Sequence, residues 1–348
     1  MRKIFLLIVF IFVGILGWLT WRGVDFVFIP PSADKTQITF DVEPGSSFYS
    51  ISEKLYDQGF IKDKFLFKLM AKALGETANM RVGEYALDKS MSPLQILKVL
   101  SSGKSIQYPL TFQEGINIFE IATVLEQKGF GNRQEFLNLC KDKALIKELI
   151  GKDLESLEGY LFPETYMVTK FTGFKTLIQM MVKNFHEAYN EVIVNSQIQL
   201  PMHEHVTLAS IIEKETGAPE ERPMISSVFH NRLRKGMRLQ SDPTIIYGIM
   251  DLNGGEPVNN IRKSDILNKT RYNTYKVKAL PYGPIANPGK ESLRAALNPA
   301  KSEYLYFVSQ NNGTHVFSKT YKEHDAAVKK FQLDSKMREG RSWRDLKK

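Results

Sequence analysis

The chain is almost without cysteine. Cys140 is the only one in 348 residues, which excludes an intramolecular disulfide, a cysteine-built zinc site and lipid attachment near the N-terminus. Several enzyme signatures are missing as well. There is no GxxxxGK[ST] loop to cradle a phosphate, no GxSxG elbow for a nucleophilic serine and no HExxH pair for zinc. Of the six histidines, His315 and His324 bracket a strand and a helix at a spacing that fits no zinc pattern. Metal-dependent and nucleophilic hydrolases are therefore poorly supported, and neither metal nor cofactor is expected. Alanine is also absent before Ala33, so no small-x-small cleavage site follows the first apolar run.

That run, MRKIFLLIVFIFVGILGWLTWRG, is uncharged from Ile4 to Trp21 and long enough to span a bilayer with Trp18 and Trp21 at an interface. Without a cleavage site it reads as a retained anchor. Arg2 and Lys3 place the N-terminus in the cytoplasm and the rest of the chain outside it. The whole chain is 43% hydrophobic and 24% charged, with a net charge of +9. Such a chain can build real cores, and its basic excess suits an acidic partner. With an anchor in place, a membrane surface or a cell-wall polymer fits better than nucleic acid, which is not expected as a partner.

Residues 1–22 form the anchor and 23–36, with IPPSADK, a linker. Beyond it, PGSSFYSISEKLYDQGF (Pro44–Phe60) matches EGINIFEIATVLEQKGF (Glu114–Phe130) at an offset of seventy residues. Each copy follows a strand-like run, turns at Gly45 or Gly115, and continues as a helix that a second glycine ends. A strand near Arg81–Leu87 and a helix entered at Ser92–Pro93 and stopped near Gly103 lie between them. Periodicity shows small α+β units. Residues 37–112 resemble a LysM-like module, a fold often associated with N-acetylated glycans. Further on, apolar spacing predicts a helix over Phe174–Ala188, and YLYFVSQNNGTHVFSK predicts two strands joined at Asn312–Gly313. A helix in EHDAAVKKFQ opens a basic, solvated tail.

The stretch TLASIIEKETGAPEERPMISSVFHNRL (Thr207–Leu233) holds Glu213, Glu215, Glu220 and Glu221. It predicts one helix over His205–Thr216 and another ending at Gly236. Glu215 shares a helical stripe with Leu208, Ile211 and Ile212. A carboxyl there is partly desolvated and faces the carbonyl dipoles of a helix C-terminus, and both effects raise its pKa. Such a group suits a general acid for a glycosidic bond. It equally suits half of a buried ion pair with an arginine, and spacing alone leaves both roles open. Glu213 lies about 200° around the helix, so it cannot pair side by side with Glu215; it is expected to face solvent or meet Arg222.

EGYLFPETYMV (Glu158–Val168) and YNTYKVKALPYGPIANPG (Tyr272–Gly289) combine aromatic rings with hydrogen-bonding groups. That composition suits sugar rings as well as core packing. The substrate-binding candidates are Tyr160, Glu164, Tyr272, Asn273 and Tyr275, joined by Gln240 and Asp242 from MRLQSDPTIIYG. Asp242 before Pro243 also reads as a helix N-cap.

LASIIEKET, SVFHNRLRKGMRLQSDPTIIYG, YNTYKVKALPYGPIANPG and YLYFVSQNNGTHVFSKTYKEH closely resemble the endolytic murein transglycosylase family (MltG, YceG-like). The resemblance runs from anchor to C-terminal hairpin. It implies an α+β protein: an N-terminal transmembrane helix, small LysM-like α+β modules and a larger catalytic α+β domain over 113–348, which includes the second repeat at 113–150. The family's catalytic glutamate maps onto Glu215. The implied reaction is cleavage between N-acetylmuramic acid and N-acetylglucosamine in nascent peptidoglycan, leaving 1,6-anhydromuramyl ends. Implied partners are glycan strands, the bacterial cytoplasmic membrane and peptidoglycan synthases or division and elongation proteins. Two other readings stay open: a non-catalytic glycan-binding or scaffolding protein, and a muramidase pairing Glu215 with Glu164, Glu221 or Asp242.

Overall fold

The computed structural model describes residues 2–194, 196–258 and 260–333; the basic tail beyond Leu333 lies outside the described residues. Helix α1 (Arg2–Phe28) is one continuous helix, long and apolar enough to cross a membrane. It continues six residues into the segment read from sequence as linker, because Val24, Phe26, Val27 and Phe28 keep it apolar and no proline intervenes before Pro30.

The chain divides into two compact units. The first takes residues up to Leu110 together with 167–172. Here β1 (Ile38–Val42), α2 (Phe48–Asp57), α3 (Lys64–Ala73) and β2 (Gly83–Leu87) are followed by α4 (Pro93–Ser102). β1 and β2 pair antiparallel, with Phe40 opposite Tyr85 and Ile38 opposite Leu87. Alternation buries Phe40 and Val42 against Leu55, Phe60, Phe67, Leu97 and Leu100. Each such large apolar side chain contributes roughly 1.5–3 kcal/mol by leaving water. α4 begins as its sequence dictates: Ser92 caps it in a capping box with Gln95, Pro93 takes the first turn, and Gly103 ends it.

The two repeat copies adopt the same local geometry. β3 (Tyr108–Thr111) precedes α5 (Ile118–Gln127), seventy residues after their counterparts. Gly45 and Gly115 turn at φ 79° and 77°, a region where a Cβ is strained. Ser47 and Asn117 then cap α2 and α5 through their side chains. The second copy continues through α6 (Arg133–Cys140) and α7 (Lys143–Ile150) to β4 (Thr165–Val168), which pairs with β3.

The second unit, residues 111–166 and 173 onward, is built around one helix. α8 (Phe174–Ile193), α9 (Met202–Glu215), α10 (Arg222–Arg234) and α11 (Asp242–Leu252) are followed by α12 (Lys263–Leu267) and α13 (Lys290–Leu297). β5 (Tyr306–Ser309) and β6 (His315–Ser318) form the hairpin, in register from Tyr306↔Ser318 to Ser309↔His315, and α14 (Tyr321–Val328) follows. α9 packs against α13, α10 and α11. Every residue from His205 to Ile212 is buried, so α9 is enclosed on all sides and not merely along the stripe its apolar residues suggest. Its polar members are mostly engaged inside: His205 Nε2 bonds the Leu293 carbonyl at 2.7 Å, leaving its buried Nδ1 without a partner among the described residues, and Ser210 accepts from the Ile285 amide at 3.1 Å while donating to the Thr207 carbonyl.

Candidate active site

Glu215 is the last residue of α9, where the enclosed helix emerges and the chain turns extended at Thr216. It is half-buried. Its carboxylate receives one hydrogen bond, from the Ser241 hydroxyl at 2.6 Å. Burial pushes its pKa up to about 7; the Ser241 bond opposes the shift, the Asp242 charge adds to it, and the Arg232 charge opposes it. Among the described residues no cation lies within ion-pair distance of Glu215. The buried-ion-pair reading is therefore not what the structure holds. Arg232 commits its guanidinium elsewhere, donating to the Leu305 and Leu239 carbonyls at 2.6 Å each.

Ser241 is held firmly. Its amide donates to Thr274 Oγ1 at 2.9 Å, its carbonyl accepts from Thr244 Oγ1 at 2.6 Å, and the two threonine hydroxyls bond each other at 2.9 Å. Just before it, Gln240 sits exposed at φ 51°, a left-handed conformation that costs a side-chain-bearing residue energy and needs its surroundings to hold it. Asp242 is already helical: Ser241 is the N-cap of α11 and makes no side-chain cap bond. The N-cap role read for Asp242 is thus corrected, because the backbone enters the helix one residue earlier and Ser241 spends its hydroxyl on Glu215. Asp242 is exposed, and its Oδ1 accepts from the Tyr275 hydroxyl at 2.7 Å. Burial first, then the Asp242 bond, hold the Tyr275 hydroxyl protonated.

The segment after Glu215 is also anchored. Both Glu221 oxygens go to one residue, accepting from the His315 amide at 3.0 Å and meeting its Nδ1 at 2.7 Å. Together with the Arg232 bond to Leu305, this fixes both flanks of the acid to the β5–β6 hairpin. Glu221 is engaged there as an anchor, which leaves Asp242 as the carboxylate acting on Glu215.

The remaining sequence candidates fall elsewhere. Tyr160 is fully buried, edge-on to Phe185, with its hydroxyl 3.0 Å from His203 Nδ1. Tyr272 is buried against Tyr247. Asn273 is wholly buried and donates to the carbonyls of Ile266 and Asn268 while accepting from the Tyr275 amide. All three are buried, and of them Asn273 is the one bonded to Tyr275. Glu164 is exposed and bonded to Asn184 at 2.7 Å. Glu213 does not face solvent: it meets Arg222 at 3.4 Å and accepts from the Gly289 amide at 3.0 Å. Ser241 and Arg232 were passed over by residue-type reasoning, although the quoted QSDPT run contains Ser241 between two chosen residues. Among the described residues no three His, Cys, Asp or Glu side chains gather to hold a metal.

Residues 40–330 match the YceG-like family. The chain belongs to that family. An endolytic murein transglycosylase of Bacillus subtilis (strain 168) is 33% identical over 315 residues, which is 85% of each chain. One from Streptococcus pneumoniae serotype 2 is 29% identical over 94% of this chain and 65% of its own length. A crystal structure of a putative yceG-like protein from Listeria monocytogenes is 34% identical and superposes with a TM-score of 0.56, over 84% of this chain and 99% of that one. The YceG-like segments quoted from the sequence supply Glu215, Arg232, the Ser241–Asp242 pair, Tyr275 and His315.

Proposed function

We propose that this protein is a membrane-anchored endolytic transglycosylase. It cuts the glycosidic bond between N-acetylmuramic acid and N-acetylglucosamine in peptidoglycan strands and leaves 1,6-anhydromuramyl ends. The observation that carries this reading is Glu215: a half-buried carboxyl, raised to about 7, with no cationic partner among the described residues and one hydroxyl donor. A glycoside hydrolase of the usual kind needs two carboxylates flanking the bond. A lytic enzyme needs one principal acid/base, because the sugar's own C6 hydroxyl attacks in place of water.

Protonated Glu215 donates to the leaving glycosidic oxygen as the C1–O bond breaks. The resulting carboxylate, steadied by Ser241, then takes the proton from the C6 hydroxyl as that oxygen bonds to C1. The proton count closes: one given, one recovered. The charge of Asp242, which accepts from the Tyr275 hydroxyl, keeps the Glu215 proton affinity high before bond breaking. α1 acts as the anchor in the bacterial cytoplasmic membrane, with the N-terminus inside and the catalytic unit outside. The β1–α2–α3–β2 order of the first unit supports a LysM-like module that handles glycan.

Mass spectrometry of glycan strands after digestion tests this reading. Anhydromuramyl ends are expected. Reducing ends would make the protein a hydrolase using Asp242, and an absence of new ends would make it a scaffold.

A further inference from the structure

The length of α1 constrains what lies beside it. Its 27 residues extend about 40 Å, while a hydrocarbon core takes about 30 Å. With Ile4–Trp21 in that core, the turns from Arg22 to Phe28 pass through the headgroup layer. Those turns are already occupied by protein. Phe26 and Val27 pack against the core of the first unit, α1 contacts α3 and α4, and Arg22 and Phe26 line one crevice with Lys62 and Leu66. The start of α3 is thereby held at headgroup depth.

The outer face of α3 suits that place. Phe65 is 69% exposed and Leu69, one turn on, 55% exposed, an apolar pair with no protein over it. Lys72 extends the same stripe by i+7 spacing from Phe65, and Lys62 is exposed just ahead of the Asp63 cap; neither makes an ion pair among the described residues, whereas Lys64 and Lys68 are both taken by Glu53. Asp63, at the start of α3, is engaged in capping, accepting from the Phe65 and Leu66 amides. Val24, Phe28 and Ile29 of the anchor are exposed as well. Apolar side chains at the acyl boundary with lysines reaching up to phosphates are the composition of an interfacial helix.

We propose that the surface formed by Lys62 and the α3 residues Phe65, Leu69 and Lys72 rests on an anionic lipid surface beside the anchor, so that the first unit lies on the membrane. This inference rests on α1 being the anchor. It fixes the module's orientation as well as its tether.

The test uses the full chain in phosphatidylglycerol-containing vesicles whose lipids carry bromine high on the acyl chain. An environment-sensitive fluorophore is placed at Phe65→Cys or Leu69→Cys, and for reference at Lys104→Cys, which follows the far end of α4 about 15 Å from Pro93. Unsubstituted chain reports any labelling of Cys140, which is buried. Blue-shifted, bromine-quenched emission at 65 and 69 but not at 104, weakened by Lys62→Glu with Lys72→Glu, is expected. With the third tryptophan removed as Trp343→Phe in every sample, the native Trp18 and Trp21 report the anchor. If they are quenched while 65 and 69 are not, the anchor stands and the lipid-facing surface is overturned. If none is quenched, the anchor reading has failed and takes this inference with it. Emission at 65 and 69 that changes only when glycan strands are added would assign the face to glycan and overturn the proposal.

Discussion

Glu158 and Glu215 lie in the same unit, and burial raises both toward neutrality, to about 8 and about 7 respectively. Their surroundings differ in kind. Glu158 is 2% exposed and bonded inward, accepting from the Ile118 amide at the start of α5 and from Asn287 Nδ2. Asn287 in turn accepts from the amides of Gly159 and Leu161 and donates to the Ile116 carbonyl. That carboxyl is a staple between three chain segments. Glu215 is half-buried, has one donor, and sits at a helix end next to an exposed aspartate and tyrosine. A raised pKa alone does not mark a catalytic group; the open side of Glu215 is what supports the role proposed for it.

Substitutions can break that contrast. The largest effect is expected at Glu215→Gln, which keeps the shape but cannot donate and recover a proton. Release of anhydromuramyl ends should fall by about 10²- to 10⁴-fold or more, with little change in melting temperature, since no charge is left unpaired. A folded Glu215→Gln protein with near wild-type release would end the account. Ser241→Ala should come next, with roughly a tenfold loss of rate from one charge-assisted hydrogen bond. Because that bond favours the ionised form, its removal raises the Glu215 pKa further, and the alkaline limb of the rate profile should move to higher pH.

Glu158→Gln should leave the rate near wild type and act on stability. Its folded pKa lies above the unfolded value, so the folded state binds the extra proton and stability falls as pH rises from about 4.5 towards 8. The substitution should flatten that decline, read as melting temperature against pH, while costing stability at low pH through one lost acceptor. A large loss of rate at full folding would show that the two glutamates are not so different. The smallest effect on rate is expected from Glu213→Gln, which loosens the Arg222 and Gly289 contacts and should cost roughly 1–3 kcal/mol of stability with turnover retained.

Local rules carried much of this. The Ser92–Pro93 start of α4, the paired turns at Gly45 and Gly115 and the place of Glu215 at a helix end were legible, because caps, turns and periodicity act within a few residues. Residue type did not report burial. Tyr160, Tyr272 and Asn273 have the chemistry of a sugar site and the positions of a scaffold, which only tertiary packing decides. The proline signal points to Asp242 and not to Ser241, and which of the two caps the helix depends on a single backbone conformation. Glu158 lay in a quoted segment, but its isolation from water comes from Asn287, 129 residues away.

The central claim is that Glu215 works in its protonated form at a pKa set by burial. The pH dependence of kcat/KM for anhydromuramyl end release tests it most directly, since that ratio reports the free enzyme's groups. The account predicts a plateau at low pH and a fall of tenfold per unit above about 7, with the break moved upward in Ser241→Ala. A rate that stays level to pH 9, or that rises as Glu215 ionises, would contradict it.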